Sequence, residues 1–458
     1  MTTSALTDLQ QDFRGTLILP ADAHYEVARK VFNGMIDRRP AIIARCEGVD
    51  DVKRAIRFGR DAGLLVAVRG GGHGVAGYAT CDGGLVIDLS GMKGIRVDPA
   101  RRTVRADGGL TWGEFDAATQ AHGLATTGGE FSSTGIAGLT LGGGIGWLMR
   151  KYGLACDNLI SVDLITAEGE SVRASASENA DLFWGVRGGG GNFGVVTSFE
   201  YRLHTVGPVL AGMILHPLAR APEVVRFWRD YAREAPDELT STAAFVTSPD
   251  GSPVLAIILC CLGSIEAAKR TVQPLRAFGS PLADMVRPMS YNREMQTIFD
   301  PAFPSGRHHY WKSSLMGELS DPAIEMVVDQ FSRVTSSQSG ILIEHLEGAV
   351  GRVGPEETAF DGRAAQFSLL ITSIWQHGDE PDRHIRWTRD LFAMMQPFVA
   401  EGVYVNYVGG DEGDERVRAA YGRLKYDRLV ALKRKYDPTN FFRLNQNIAP
   451  APTMTPLH

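Results

Sequence analysis

Leu64-Leu65-Val66-Ala67-Val68-Arg69-Gly70-Gly71-Gly72-His73-Gly74 runs from a strand straight into a glycine loop that carries one histidine. A short apolar run bounded by glycines reads as a buried strand. Glycine adopts backbone angles closed to other residues and lets a ligand lie against main-chain N–H groups, so the loop reads as an anion cradle with His73 beside its occupant. Two further clusters follow, Gly138-Leu139-Thr140-Leu141-Gly142-Gly143-Gly144-Ile145-Gly146 and Arg187-Gly188-Gly189-Gly190-Gly191-Asn192-Phe193-Gly194. Three such loops in one half of the chain point to a single long, phosphate-bearing ligand.

Around the first loop, apolar strands alternate with helical patterns, an α/β rhythm. Ala41–Arg45 and Leu85–Leu89 read as strands, Gly48 to Gly63 as a helix between glycines, and Thr111 to His122 as a helix stopped by Gly123. Ile95–Asp98 with Thr103–Ala106, and Ser161–Ala167 with Ser171–Ala174, read as hairpins, and Val195–Leu203 as a closing strand. After Pro208 the glycine clusters stop and longer helices such as Pro222–Ala235 accompany strands such as Val254–Leu262 and Ile341–Glu347. Alternation in the last of these predicts Ile343, His345 and Glu347 on one face. The tail from Tyr436 to Ile448 is polar and rich in asparagine where a terminus would ordinarily fray.

With 458 residues, two domains are the prior, and 44% hydrophobic with 22% charged residues is a globular composition. A net charge of -6 argues against a nucleic-acid or membrane-surface partner, both of which reward a positive field. No secretory leader or membrane-length apolar run is read, and five cysteines without ligand spacing suggest neither a zinc site nor a disulfide framework, so a reduced cytoplasmic protein is expected. His308-His309 is a poor metal pair because adjacent strand residues point oppositely, and no metal is expected.

Gly72-x-Gly74-x-x-Gly77 matches a dinucleotide fingerprint by letter, but Gly77 to Gly84 is turn-like and no acidic residue closes a βαβ unit. The second cluster lacks the lysine and hydroxyl residue of a P-loop, and no HExxH or GxSxG motif is found. A large cofactor explains the glycines better than hydrolytic or metal chemistry.

Val68–Gly74, Gly135–Gly144, Tyr152–Leu159 and Leu182–Thr197, followed by Tyr404-Val405-Asn406-Tyr407 and Tyr436–Ile448, resemble in order the signatures of the berberine bridge enzyme-like oxidases and their PCMH-type FAD-binding domain. The likeness spans nearly the whole chain. It implies an α+β fold: a two-subdomain PCMH-type FAD-binding domain over residues 1–206, a substrate domain with an antiparallel sheet covered by helices over 207–413, and a segment 414–458 returning to the first domain.

The resemblance also implies FAD bonded covalently through His73 to the flavin 8α-methyl. Some members add a cysteinyl link, but Phe131 stands at that position here, so one covalent bond is expected. Arg69, Gly70, Gly71, Gly72, Gly74 and Gly77 would face the pyrophosphate, Gly138, Gly142, Gly143 and Gly144 the ribityl and isoalloxazine side, and Val196 the adenine. Asn445 and Asn447 of the tail complete the cofactor set. Thr134 and Leu139 match residues that border an oxygen pocket in some bacterial relatives. Tyr404, Asn406, His345 and Glu347 are the substrate-side candidates, groups able to take a proton as hydride leaves.

The activity implied is oxidation of an alcohol, amine or polyketide-like small molecule of catabolism or secondary metabolism, with O2 as acceptor and H2O2 as product. A flavin N5-oxide monooxygenase, a dehydrogenase with another acceptor, and a non-catalytic flavin-binding protein are the alternatives. A monomer or homodimer is expected.

Overall fold

The computed structural model describes residues 3–450, so the extreme ends of the first and last expected segments lie outside the described residues. Three large sheets organise the described residues, with a two-stranded pair, Leu124–Ala125 and His204–Thr205, beside them. The first orders Thr16–Ile18, Ile42–Arg45, Leu85–Asp88 and Val66–Arg69, with the last three parallel. Parallel strands need crossovers, and the helix Val49–Asp61 supplies one, burying Val52, Ala55 and Ile56 against the sheet. The second sheet is antiparallel, Ile95–Asp98, Thr103–Asp107, Val195–Arg202, Leu159–Ile165 and Ser171–Ser175, and contains both hairpins read from the sequence. Beside it the helix Trp112–Gln120 begins at Thr111, whose hydroxyl and the Glu114 carboxylate form a reciprocal capping box.

The third sheet, eight strands, spans residues 209–375 and is antiparallel throughout. Helices Ala221–Glu234, Ile265–Ala277, Asp321–Phe331 and Pro381–Met395 cover one face, where Trp228, Val272, Ile324 and Leu391 pack on Ile257, Ile341, Ile343 and Leu369. The other face, with Leu342, Leu370, Ala244 and Ile258, packs on Trp147, Leu148 and Phe32 of the first half. The α+β class, with an antiparallel sheet covered by helices, is the architecture observed.

The return to the first half begins with residues 403–408, ahead of the helix Asp414–Tyr436. Val403, Val405 and Val408 share a core with Trp112, Phe115 and Phe199, as do Leu429, Leu432 and Ile448 further on. The tail is held by a buried pair: Lys433 Nζ donates to Asp437 Oδ2 at 2.7 Å and to the carbonyls of Asn192 and Phe442. Asp437 in turn accepts from the Phe441 and Phe442 N–H groups. The polar tail therefore does not fray, because its side chains complete main-chain hydrogen bonds of the third glycine cluster.

Candidate active site

A cavity of about 280 Å³ opens where the loop 70–74, residues 134–141, the third glycine cluster, the turn 404–407 and the tail residues 442–446 converge. Its first wall follows from the sheet. Arg69 ends its strand by turning the guanidinium onto the buried Asp88 at 2.9 Å, and the chain then leaves the sheet as the glycine loop. Gly71 lies against Gly135 so closely that a Cβ would stand 2.3 Å from the Gly135 nitrogen. Gly72 has φ +66°, the left-handed region that favours glycine. His73 is thereby delivered to the cavity wall.

The His73 ring stacks on Phe32 at 3.8 Å and 17°, and Phe32 stacks on His309 at 4.3 Å from its other side. Phe131 approaches His73 at 5.5 Å. Burial, followed by the neighbouring His309, pushes the His73 pKa down to about 4, so the ring is neutral at physiological pH. Its Nε2 is buried without a hydrogen-bond partner.

The opposite wall carries Tyr404 and Asn406. The Tyr404 hydroxyl accepts from the Gly144 N–H at 3.0 Å and from the Asn406 amide at 2.7 Å, and Asn406 also donates to the Leu139 carbonyl at 3.0 Å. Both phenolic lone pairs are thus occupied, leaving the O–H as a donor. Complete burial drives the Tyr404 pKa upward, so it stays protonated.

Of the residues expected at a cofactor or substrate, Gly70, Gly71, Gly72, His73, Gly74, Thr134, Gly138, Val196, Tyr404, Asn406 and Asn445 line this cavity. Arg69 does not, because Asp88 holds its side chain elsewhere. Gly77, at φ +73°, abuts Ile36. Gly142, Gly143 and Gly144 stand behind the wall: a Cβ on Gly142 would come within 2.1 Å of Asn406 Oδ1, and one on Gly143 within 2.6 Å of Phe360. Their smallness seats other side chains. Asn447 faces a separate groove beside Gly422 and Tyr426.

His345 and Glu347 are not brought to the cavity. The strand ends at His345, on the helix-covered face with Ile343, and the His345 ring lies 5.5 Å from Phe367. Glu347 lies beyond the strand at φ +51°, so it does not continue the alternation, and its carboxylate meets His345 Nε2 at 2.8 Å. The residue turned the other way is Glu344, fully buried, with Oε1 accepting from the Tyr407 hydroxyl at 3.0 Å. Glu130, Phe131, Trp311, Tyr407 and Tyr421 also line the cavity and were not singled out as site residues by the sequence reading. One signal was present: a glutamate inside the apolar run Ile341-Leu342-Ile343-Glu344 marks a buried acid.

The wall suits a long, partly polar cofactor. Beside Gly74, Gly138 and Gly191 a Cβ would meet nothing within 4 Å, so main chain is open to a ligand there. Buried polar atoms without partners also occur on wall residues: His73 Nε2, Thr134 Oγ1, Tyr421 OH and Asn445 Oδ1. Buried polar groups are ordinarily paired, and a bound group able to donate and accept would pair these. No lysine or arginine lines the cavity among the described residues, so a pyrophosphate there would be held by backbone N–H groups.

Comparison with known proteins agrees with this geometry. The family profile described as FAD binding domain matches residues 40–175, and that described as berberine and berberine like matches 403–449. An FAD-linked oxidoreductase of Dictyostelium discoideum is 32% identical over 453 residues, 98% of this chain and 97% of that protein. The (R)-6-hydroxynicotine oxidase of Paenarthrobacter nicotinovorans is 31% identical, over 95% of this chain and 97% of its own. The crystal structure of 6-hydroxy-D-nicotine oxidase from Arthrobacter nicotinovorans superposes with a TM-score of 0.88 at 30% identity, covering 96% of this chain and 98% of that one.

Proposed function

The chain belongs to the berberine-like FAD-linked oxidoreductases, and on that premise we propose that it is an oxidase carrying FAD on a single covalent bond from His73. The observation that carries this reading is the state of His73: neutral, stacked, on the cavity wall, with an unpartnered ring nitrogen among glycines open to a ligand. A neutral imidazole offers the lone pair that bonding to the flavin 8α-carbon requires. Phe131 fills the second-link position and packs toward His73 instead.

FAD when bound supplies a two-electron acceptor for hydride, and the surrounding residues orient the donor. Tyr404, protonated and with both lone pairs occupied, donates a hydrogen bond into the site, and Asn406 fixes its direction. Aromatic walls from Phe131, Trp311 and Tyr407 exclude water from a small organic substrate. An alcohol or amine fits such a site, with O2 as acceptor and H2O2 as product. Thr134, its hydroxyl unpartnered beside Leu139 on the wall, supports a second reading in which oxygen is directed into the substrate.

Denaturation by acid decides the link: pigment should precipitate with the wild-type protein and remain in solution for His73→Ala. A panel beginning with the 6-hydroxynicotine enantiomers, extended to other amines and alcohols, should reduce the bound flavin, with one H2O2 released per substrate oxidised. A colourless wild-type precipitate would refute the covalent bond, and a peroxide yield well below stoichiometric would favour oxygen insertion.

A further inference from the structure

Three rings from distant parts of the chain lie in one stack. The buried Phe32 ring faces His73 at 3.8 Å and 17°, and on its other side His309, from the strand His308–Met316, at 4.3 Å and 29°. Rings this close and nearly parallel resist rotation, because turning one drives its edge into the next. His309 is itself held, its Nε2 donating to the Pro304 carbonyl at 3.2 Å. Neither Phe32 nor His309 lines the cavity, so both act on its occupant only through His73.

Phe32 is gripped from both halves of the chain. Its N–H donates at 3.0 Å to the carbonyl of Gly72, the residue before His73, and its own carbonyl accepts from the Gly306 N–H at 2.8 Å. Beside it the buried Asn33 makes four hydrogen bonds. Its amide donates to the Val75 and His309 carbonyls at 2.9 Å each, and its oxygen accepts from the Met35 and His309 N–H groups at 3.0 Å each. An amide with both protons and both lone pairs engaged has a single orientation. The Gly34 N–H adds a bond to the Arg307 carbonyl at 2.7 Å. Residues 32–34 are therefore a strap that ties the histidine loop, at Gly72 and Val75, to the edge strand of the third sheet at His309.

Resting on the covalent link argued above, we propose that Phe32, backed by His309 and latched by Asn33, is a positioning residue for that link. It holds the His73 ring plane so that a ring lone pair meets the flavin 8α-carbon, and it makes bond formation depend on contact between the two halves of the chain. The step balances. The nitrogen lone pair makes the new N–C bond as the imidazole N–H and one 8α C–H break. The electron pair of that C–H bond stays on the flavin with both hydrogens, and dioxygen then removes them as H2O2.

The test separates binding from bonding. Full-length protein produced under riboflavin limitation is mixed with FAD, total bound flavin is read after gel filtration, and linked flavin is read in the acid precipitate over time. Phe32→Leu keeps apolar bulk but removes the flat face. It is expected to bind FAD as wild type does and to form the link about 10-fold more slowly or worse, the scale of loss that misorientation brings. His309→Phe, a ring without a titratable nitrogen, should link at the wild-type rate, and His309→Ala more slowly. This second pair keeps the test decisive should Phe32→Leu fold poorly. Linkage at the wild-type rate in Phe32→Leu or His309→Ala would overturn the proposal. So would slow linkage in His309→Phe, or a loss of FAD binding that accounts for the slow linkage, as a merely structural role would give. Wild-type protein that binds FAD and never links it would defeat the covalent reading instead.

Discussion

Tyr404 shows how a buried hydroxyl acquires a direction. Three donors, the Gly144 and Ile145 N–H groups and the Asn406 amide, converge on its oxygen, so its own proton is left to donate away from them, on the cavity wall that Tyr404 lines. Tyr404→Phe is expected to leave flavin content unchanged and to slow flavin reduction about 10²-fold, the usual loss for one preorganised donor, measurable by stopped-flow. Gly142 tests the same arrangement from behind. An alanine there collides with Asn406 Oδ1, so Gly142→Ala should cost about 1–3 kcal/mol in urea denaturation and lower activity by displacing Tyr404's partner. Much of this region was legible in sequence as glycine clusters, but not what each glycine serves. Gly74 and Gly138 leave room for a ligand, whereas Gly142 and Gly143 leave room for Asn406 and Phe360, partners more than 200 residues away. Arg69 raises the same difficulty: beside a phosphate-type loop it reads as an anion ligand, and only the parallel pairing with Leu85–Asp88 reveals its buried partner.

Among the elements, the strand Gly340–His345 explains the missed acid. Alternation fixes which residues share a face, but both faces of this sheet are buried, one by helices and the other by the first half of the chain. With no polar face to serve as reference, parity alone does not say which side meets the cavity. An unusual tail was legible; its lock was not. Lys433 and Asp437 are fully buried, one turn apart, and tie the tail to the third glycine cluster through the Asn192 carbonyl. Lys433→Met would leave Asp437 uncompensated. It should destabilise the protein by about 3–5 kcal/mol in denaturant titration and reduce flavin uptake along with it.

At the scale of the whole molecule, neutral histidines set the acid limit. His73, His204 and His309 are each held near pKa 4, chiefly by burial, against about 6.5 in an unfolded chain. Folded values lie below unfolded ones, so between these limits the unfolded chain binds more protons. The stability these groups contribute is whole above pH 6.5 and lost as pH falls through 4. Thermal scans of flavin-free protein should show Tm dropping across that window, and His204→Gln, remote from the cofactor cavity, should flatten the slope. A Tm unchanged from neutral pH to 4 would contradict this assignment.

The cavity draws its walls from both ends of the chain, His73 early and residues 404–407 and 442–446 late. That layout imposes an order on biosynthesis. When the histidine loop leaves the ribosome, the tyrosines and tail that enclose it have yet to be translated, so no closed site exists on the nascent chain. Enclosure of a flavin must then await synthesis of residues 442–446, which makes that stretch the checkpoint for closing the site.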